Sequence, residues 1–138
     1  MSYSCSIMGG MEELLHQLDE AITALADAAL CPLEDPALIE GLDRIAVAEN
    51  RLRAVKLHWV REIEMVRTIP AQQKATSANA WLRGRLHMSV AEAGRLLRAG
   101  RLLDTEPILD AAMSAGTVSP EHLTVIGKAL RDLPDVPQ

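Results

Sequence analysis

The sequence predicts an all-α fold of about six helices, and three observations carry that reading. Apolar residues recur at three- and four-residue spacings along most of the chain, and no segment sustains the alternation of a half-buried strand. Alanine and leucine, both strong helix formers, are abundant. The composition is 49% hydrophobic, yet it includes no Phe, one Tyr (Tyr3) and two Trp (Trp59, Trp81), so the core must be aliphatic and its helices closely packed. At 138 residues the chain has the size of one ordinary domain.

The elements follow in order. After a flexible N-terminus over residues 1–10, Met11 to Leu30 sets Leu14, Leu15, Leu18, Ile22, Leu25 and Ala29 on one stripe of an amphipathic helix. Cys31-Pro32-Leu33-Glu34-Asp35-Pro36 interrupts it. Asp35 is placed to cap the next helix, with Pro36 at its first position, where a missing N–H costs nothing. That helix is long, from Pro36 to about Arg67. Leu38, Ile45, Leu52, Trp59 and Val66 recur every seven residues, and a second row begins with Leu42 and ends with Ile63, interrupted by Glu49 and Lys56. Two readings remain open for it. A second copy of the chain covers the helix in a homodimer, or the helix breaks near Asn50 and packs within one chain.

Ile69-Pro70 ends this element and Ala71–Ala75 is a connector. Thr76 or Ser77 caps a short helix through Trp81, Leu82 and Leu86. Ser89 with Glu92 forms a capping box, opening a helix to about Leu103 whose core face is Val90, Ala93, Leu96, Leu97 and Leu103. Thr105 and Pro107 open a helix carrying Ile108, Leu109, Ala112 and Met113, closed by a left-handed Gly116. Ser119-Pro120-Glu121 opens the last helix, with Leu123, Ile126, Ala129 and Leu130 inward. Residues 134–138 form a frayed tail. The organisation that results is a single helical domain over 11–133, built from 11–67 and 76–133.

Charge is segregated along the chain. Residues 1–50 carry ten acids against one base, residues 51–101 eleven bases against three acids, and residues 102–138 two bases against six acids. A basic middle between acidic ends reads either as a footprint for a polyanion or as internal complementarity, with acidic helices of the first fifty residues beside the basic one. The polyanion reading has a specific site. The helix of Trp81 and the helix from Ser89, joined by a short turn near His87-Met88, form a helix-turn-helix-like hairpin. Its first helix carries Arg83 and Arg85, and its second Arg95, Arg98 and Arg101 at three-residue spacing. A second hairpin, Ile108–Ala115 with the helix from Ser119, carries Glu121, Asp110 and Asp132 against Lys128 and Arg131 and reads as scaffold.

Nothing in the residue pattern points to an enzyme. His16, His58, His87 and His122 lack metal-ligand spacing, there is no phosphate-binding glycine loop and no nucleophile elbow, and adjacent carboxylates such as Glu12/Glu13 do not face each other on a helix. No cofactor, metal or small-molecule substrate is expected. Cys5 and Cys31 are too far apart for a zinc site; with no secretory signal and no apolar run of membrane-spanning length, they suit a reducing cytoplasm, Cys31 as a buried free thiol. Trp59 and Trp81 read as packing residues.

The second half of the chain holds a particular order of motifs: Ala80-Trp81-Leu82-Arg83, Met88-Ser89-Val90-Ala91-Glu92-Ala93, Ala115-Gly116-Thr117-Val118-Ser119-Pro120-Glu121-His122 and Leu130-Arg131-Asp132-Leu133-Pro134. That order resembles the actinobacterial 13E12 repeat family, whose helical N-terminal region is domain of unknown function 222 and in many members precedes an HNH endonuclease module. No nuclease motif follows before Gln138. The resemblance therefore implies a non-catalytic helical region of a nuclease-associated family, with DNA association through the basic hairpin as the leading expectation. The alternative is a protein-interaction or homodimerisation module without nucleic-acid binding.

Overall fold

In the computed structural model, residues 3–66 and 68–133 are described. Among them are seven helices and no strand: α1 (Tyr3–Asp27), α2 (Asp35–Val66), α3 (Thr68–Gln72), α4 (Ala78–Leu86), α5 (Val90–Thr105), α6 (Pro107–Ser114) and α7 (Pro120–Asp132). No helix among the described residues is long and apolar enough to cross a membrane. Contacts gather into two compact units, residues 1–40 and 41–138. The expected tail at 134–138 lies outside the described residues.

In the first unit, α1 is already helical at Tyr3, well before Met11, so the stretch expected as a flexible N-terminus is largely helix. Its apolar stripe is on the surface: Leu14, Ile22 and Leu25 are exposed and Leu18 is half-buried. Cys31 is exposed rather than buried, because it sits in the turn closed by the Leu33 amide on the Leu30 carbonyl. The α2 helix begins one residue earlier than expected. The Leu38 amide donates to the Glu34 carbonyl, so Asp35 sits in the first turn, its charge at the positive end of the helix dipole, rather than at the cap.

The second unit holds the core. The α2 helix continues unbroken past Asn50. The seventh helix, α3, occupies part of the expected connector. Pro70 is tolerated there because it lies in the first turn, where amides have no intrahelical partner. Lys74 in the left-handed region (φ 61°) ends α3, with the Ala75 amide returning to the Pro70 carbonyl at 2.7 Å.

Two clusters make the interior. Ala54, Leu57, Leu103, Met113 and Leu123 form one, joining α2, α5, α6 and α7; Val60, Leu82, Ala93 and Leu97 form the other, joining α2, α4 and α5. Leu96 packs against both. Small residues permit this arrangement: a methyl group built on Gly100 of α5 would stand 3.2 Å from the Leu57 carbonyl of α2. Several expected core residues face outward instead. Val90 and Leu130 are exposed, as is Ala129, and Ile108 is 88% exposed.

The helix ends follow the sequence signals with two changes. Ser77 Oγ accepts from the Ala80 amide at 3.1 Å, and Ser89 with Glu92 makes the expected capping box. Thr105 does not cap α6; its hydroxyl donates back to the Arg101 and Leu102 carbonyls, and Glu106 takes the cap position without a side-chain bond. At α7, His122 completes a capping box with Ser119, its Nδ1 accepting the Ser119 amide at 3.3 Å.

Gly116 closes α6 at φ +81°, with the Thr117 amide on the Ala112 carbonyl and its own amide on the Met113 carbonyl. A Cβ there would also lie 2.7 Å from both Cγ1 and the carbonyl of Val47. Left-handed strain and overpacking therefore act together. Gly116→Ala is expected to lower stability by about 3 kcal/mol, whereas Ile108→Ser shifts it by less than about 0.5 kcal/mol. Urea denaturation of both variants checks the contrast.

Glu121 lies in the first turn of α7. A backbone N–H there, then the Ser119 hydroxyl and more weakly Arg53 and His122, hold its carboxyl below the ordinary carboxylate value. A depressed folded value means stabilisation that is present above the unfolded pKa and is lost as pH falls through the folded one. Between neutral pH and about pH 3 the wild type should lose more stability than Glu121→Gln, read from urea midpoints at the two ends.

Candidate nucleic-acid interface

The basic hairpin forms as the capping signals require. His87 ends α4 in the left-handed region (φ 54°, ψ 46°), and the Asn79 side-chain amide donates to the Val90 carbonyl at 3.4 Å, tying the two helices across the turn. Leu82 and Ala93 bury the shared face, and Trp81, half-buried beside them, donates through Nε1 to Gln73 at 2.6 Å. The hairpin thus presents its outer surfaces to solvent.

The five arginines singled out on this hairpin do not form one face. Arg83 and Arg85 are exposed on α4, and two residues apart they point about 200° away from each other. Arg85 lines a depression with Gln73, Lys74 and Trp81. Arg95, Arg98 and Arg101 instead line an open groove of about 540 Å³ between α5 and α7, floored by Leu102, Leu123 and Gly127. Arg131 of α7 joins them from the opposite wall, and Glu106 is the single acid in the lining.

Arg101 is engaged elsewhere. Its Nε donates to Glu64 Oε1 at 2.7 Å, and this bond holds the guanidinium above its ordinary pKa against the opposing effect of partial burial. The same oxygen accepts from Arg61 at 3.0 Å, and Arg61 also reaches Asp104 at 3.0 Å. The Glu64 side chain is only 14% exposed, and its Oε2 has no partner among the described residues. This network links α2 to α5 and neutralises Arg101. Among the described residues, Arg95, Arg98 and Arg131 take part in no ion pair. The Arg98 guanidinium lies back over Gly94 of its own helix, and that of Arg131 lies near Gly127.

Internal complementarity exists, but its acids come from within the second unit: Glu64, Asp104, Asp110 and Glu121 pair with Arg61, Arg101, His58 and Arg53. His58 meets Asp110 at 2.6 Å, His16 pairs with Glu20, His87 is a helix terminator and His122 a cap. Among the described residues no group of three or more His, Cys, Asp or Glu is placed to hold a metal ion.

The residue that sequence reasoning set aside is Arg131. The sequence places it in the acidic scaffold hairpin, yet α7 crosses α5 at Gly127, whose added methyl would stand 3.3 Å from Leu102, and Arg131 lines the same groove as Arg95 and Arg98. The signal available was the buried-type glycine in the middle of a strongly amphipathic helix, a mark of close helix approach.

A model of the domain of unknown function DUF222 matches residues 39–138. No curated protein and no solved structure matches the chain. The matched residues cover more than two thirds of the sequence and hold the whole of the second unit, including the capped hairpin and the Gly116 and Ser119 turn motifs that carry the resemblance: the chain belongs to the DUF222 family.

Proposed function

We propose that this is a non-catalytic helical domain that associates with duplex DNA through the groove between α5 and α7. The observation that carries the reading is the convergence of Arg95, Arg98 and Arg131 on one open, amphipathic surface while their neighbour Arg101 is neutralised by Glu64. Guanidinium groups left without carboxylate partners are suited to bidentate contact with phosphate oxygens. Spacing of three along α5 puts Arg95 and Arg98 on adjacent turns, able to meet neighbouring phosphates of one strand, with Arg131 facing them from α7. The contacts are to the backbone, so binding is expected to depend more on salt than on base sequence. Arg83 and Arg85 lie outside the groove and are assigned no part in it.

Fluorescence anisotropy with labelled duplex DNA, repeated over a salt series, tests this. Each lost phosphate contact should reduce the slope of log K against log salt by about 0.9, so the pair Arg95→Glu and Arg98→Glu lowers it by about two and removes measurable binding at physiological salt. Arg101→Ala leaves the slope unchanged. Absence of binding at low salt, or binding untouched by the Arg95 and Arg98 reversals, rejects the proposal.

A further inference from the structure

The second unit leaves one side of α2 uncovered. Ala54, Leu57 and Val60 face the core, and Leu52 lies about 200° round the helix from Ala54. On that outer side Leu42 (67% exposed), Ile45 (51%), Leu52 (43%) and Trp59 (44%) stand in solvent on a helix that continues without a break. Ile45, Leu52 and Trp59 recur every seven residues, and Leu42, Glu49, Lys56 and Ile63 form a row beside them at the same spacing. Two rows at heptad spacing form the seam by which one helix packs along another.

We propose that this seam is covered by the α2 of a second copy of the chain, running antiparallel. The charges in the row decide both the occupant and its direction. In a parallel, in-register pair Glu49 would face the partner's Glu49 and Lys56 the partner's Lys56, placing like charges together at the seam. With the helix reversed, the row reads apolar, acid, base, apolar against its own mirror. Glu49 then comes within a turn of the partner's Lys56, Leu42 lies by the partner's Ile63, and Trp59 covers the partner's Ile45. Leu52 meets its own copy near the two-fold axis. Such self-complementarity is what an isologous interface requires.

Sedimentation velocity on the full chain over a dilution series tests the pairing. The expected result is a dimer that dissociates on dilution. Glu49→Lys, which sets Lys against the partner's Lys56 twice per dimer, should weaken it by about tenfold, and adding Lys56→Glu should restore it. Leu52→Asp, at a site exposed in the single chain, should give a monomer with unchanged helical circular dichroism. A monomer at every concentration overturns the proposal and gives the face to another occupant. A dimer indifferent to Glu49→Lys overturns the antiparallel register.

Discussion

The structure depends on how closely α5 can lie on the C-terminal half of α2. Gly100 against the Leu57 carbonyl, with Ala54 and Ala93 almost fully buried nearby, lets two backbones approach where any larger residue would hold them apart. A chain without phenylalanine has few bulky side chains to span a wide gap, so its core gains cohesion from many short dispersion contacts instead. Both interior clusters use α5, and Leu96 belongs to each. The helices α4, α6 and α7 are arranged around this contact.

Fixing one side of α5 also determines what its other side presents. Once Ala93, Leu97 and Gly100 face inward, Arg95 and Arg98 must face outward, and the α7 crossing at Gly127 sets Arg131 against them. The position of Glu64 then divides the arginines into two classes. Arg61 and Arg101 converge on its one engaged oxygen and stitch α2 to α5, whereas Arg95, Arg98 and Arg131 take part in no ion pair among the described residues. The same three-residue spacing thus yields structural and available cations side by side, separated by which of them reaches a carboxylate on the neighbouring helix.

Local rules in the sequence were legible because they act over a few residues. The Ser77, Ser89 and Ser119 caps and the left-handed Gly116 were readable from residue type and spacing, whereas spacing left open whether α2 breaks near Asn50. What could not be read depended on contacts between distant segments. Thr105 turned back onto its own helix rather than capping the next, and Ile108 fell on the far side of a short helix although its neighbours Leu109 and Met113 pack inward. Three arginines at regular spacing looked equivalent until Glu64, 37 residues from Arg101 in sequence, engaged one of them. Arg131 looked like scaffold until the angle of α7 was known.

The most direct measurement of the central claim is a titration of the isotopically labelled chain with short duplex DNA, following the arginine Nε–Hε signals by NMR. The account predicts that Arg95, Arg98 and Arg131 shift together, while Arg101 and Arg61, held by Glu64, stay in place. Shifts concentrated on Arg83 and Arg85, or equal shifts at every exposed arginine, would contradict the division of the cations on which the proposed interface rests.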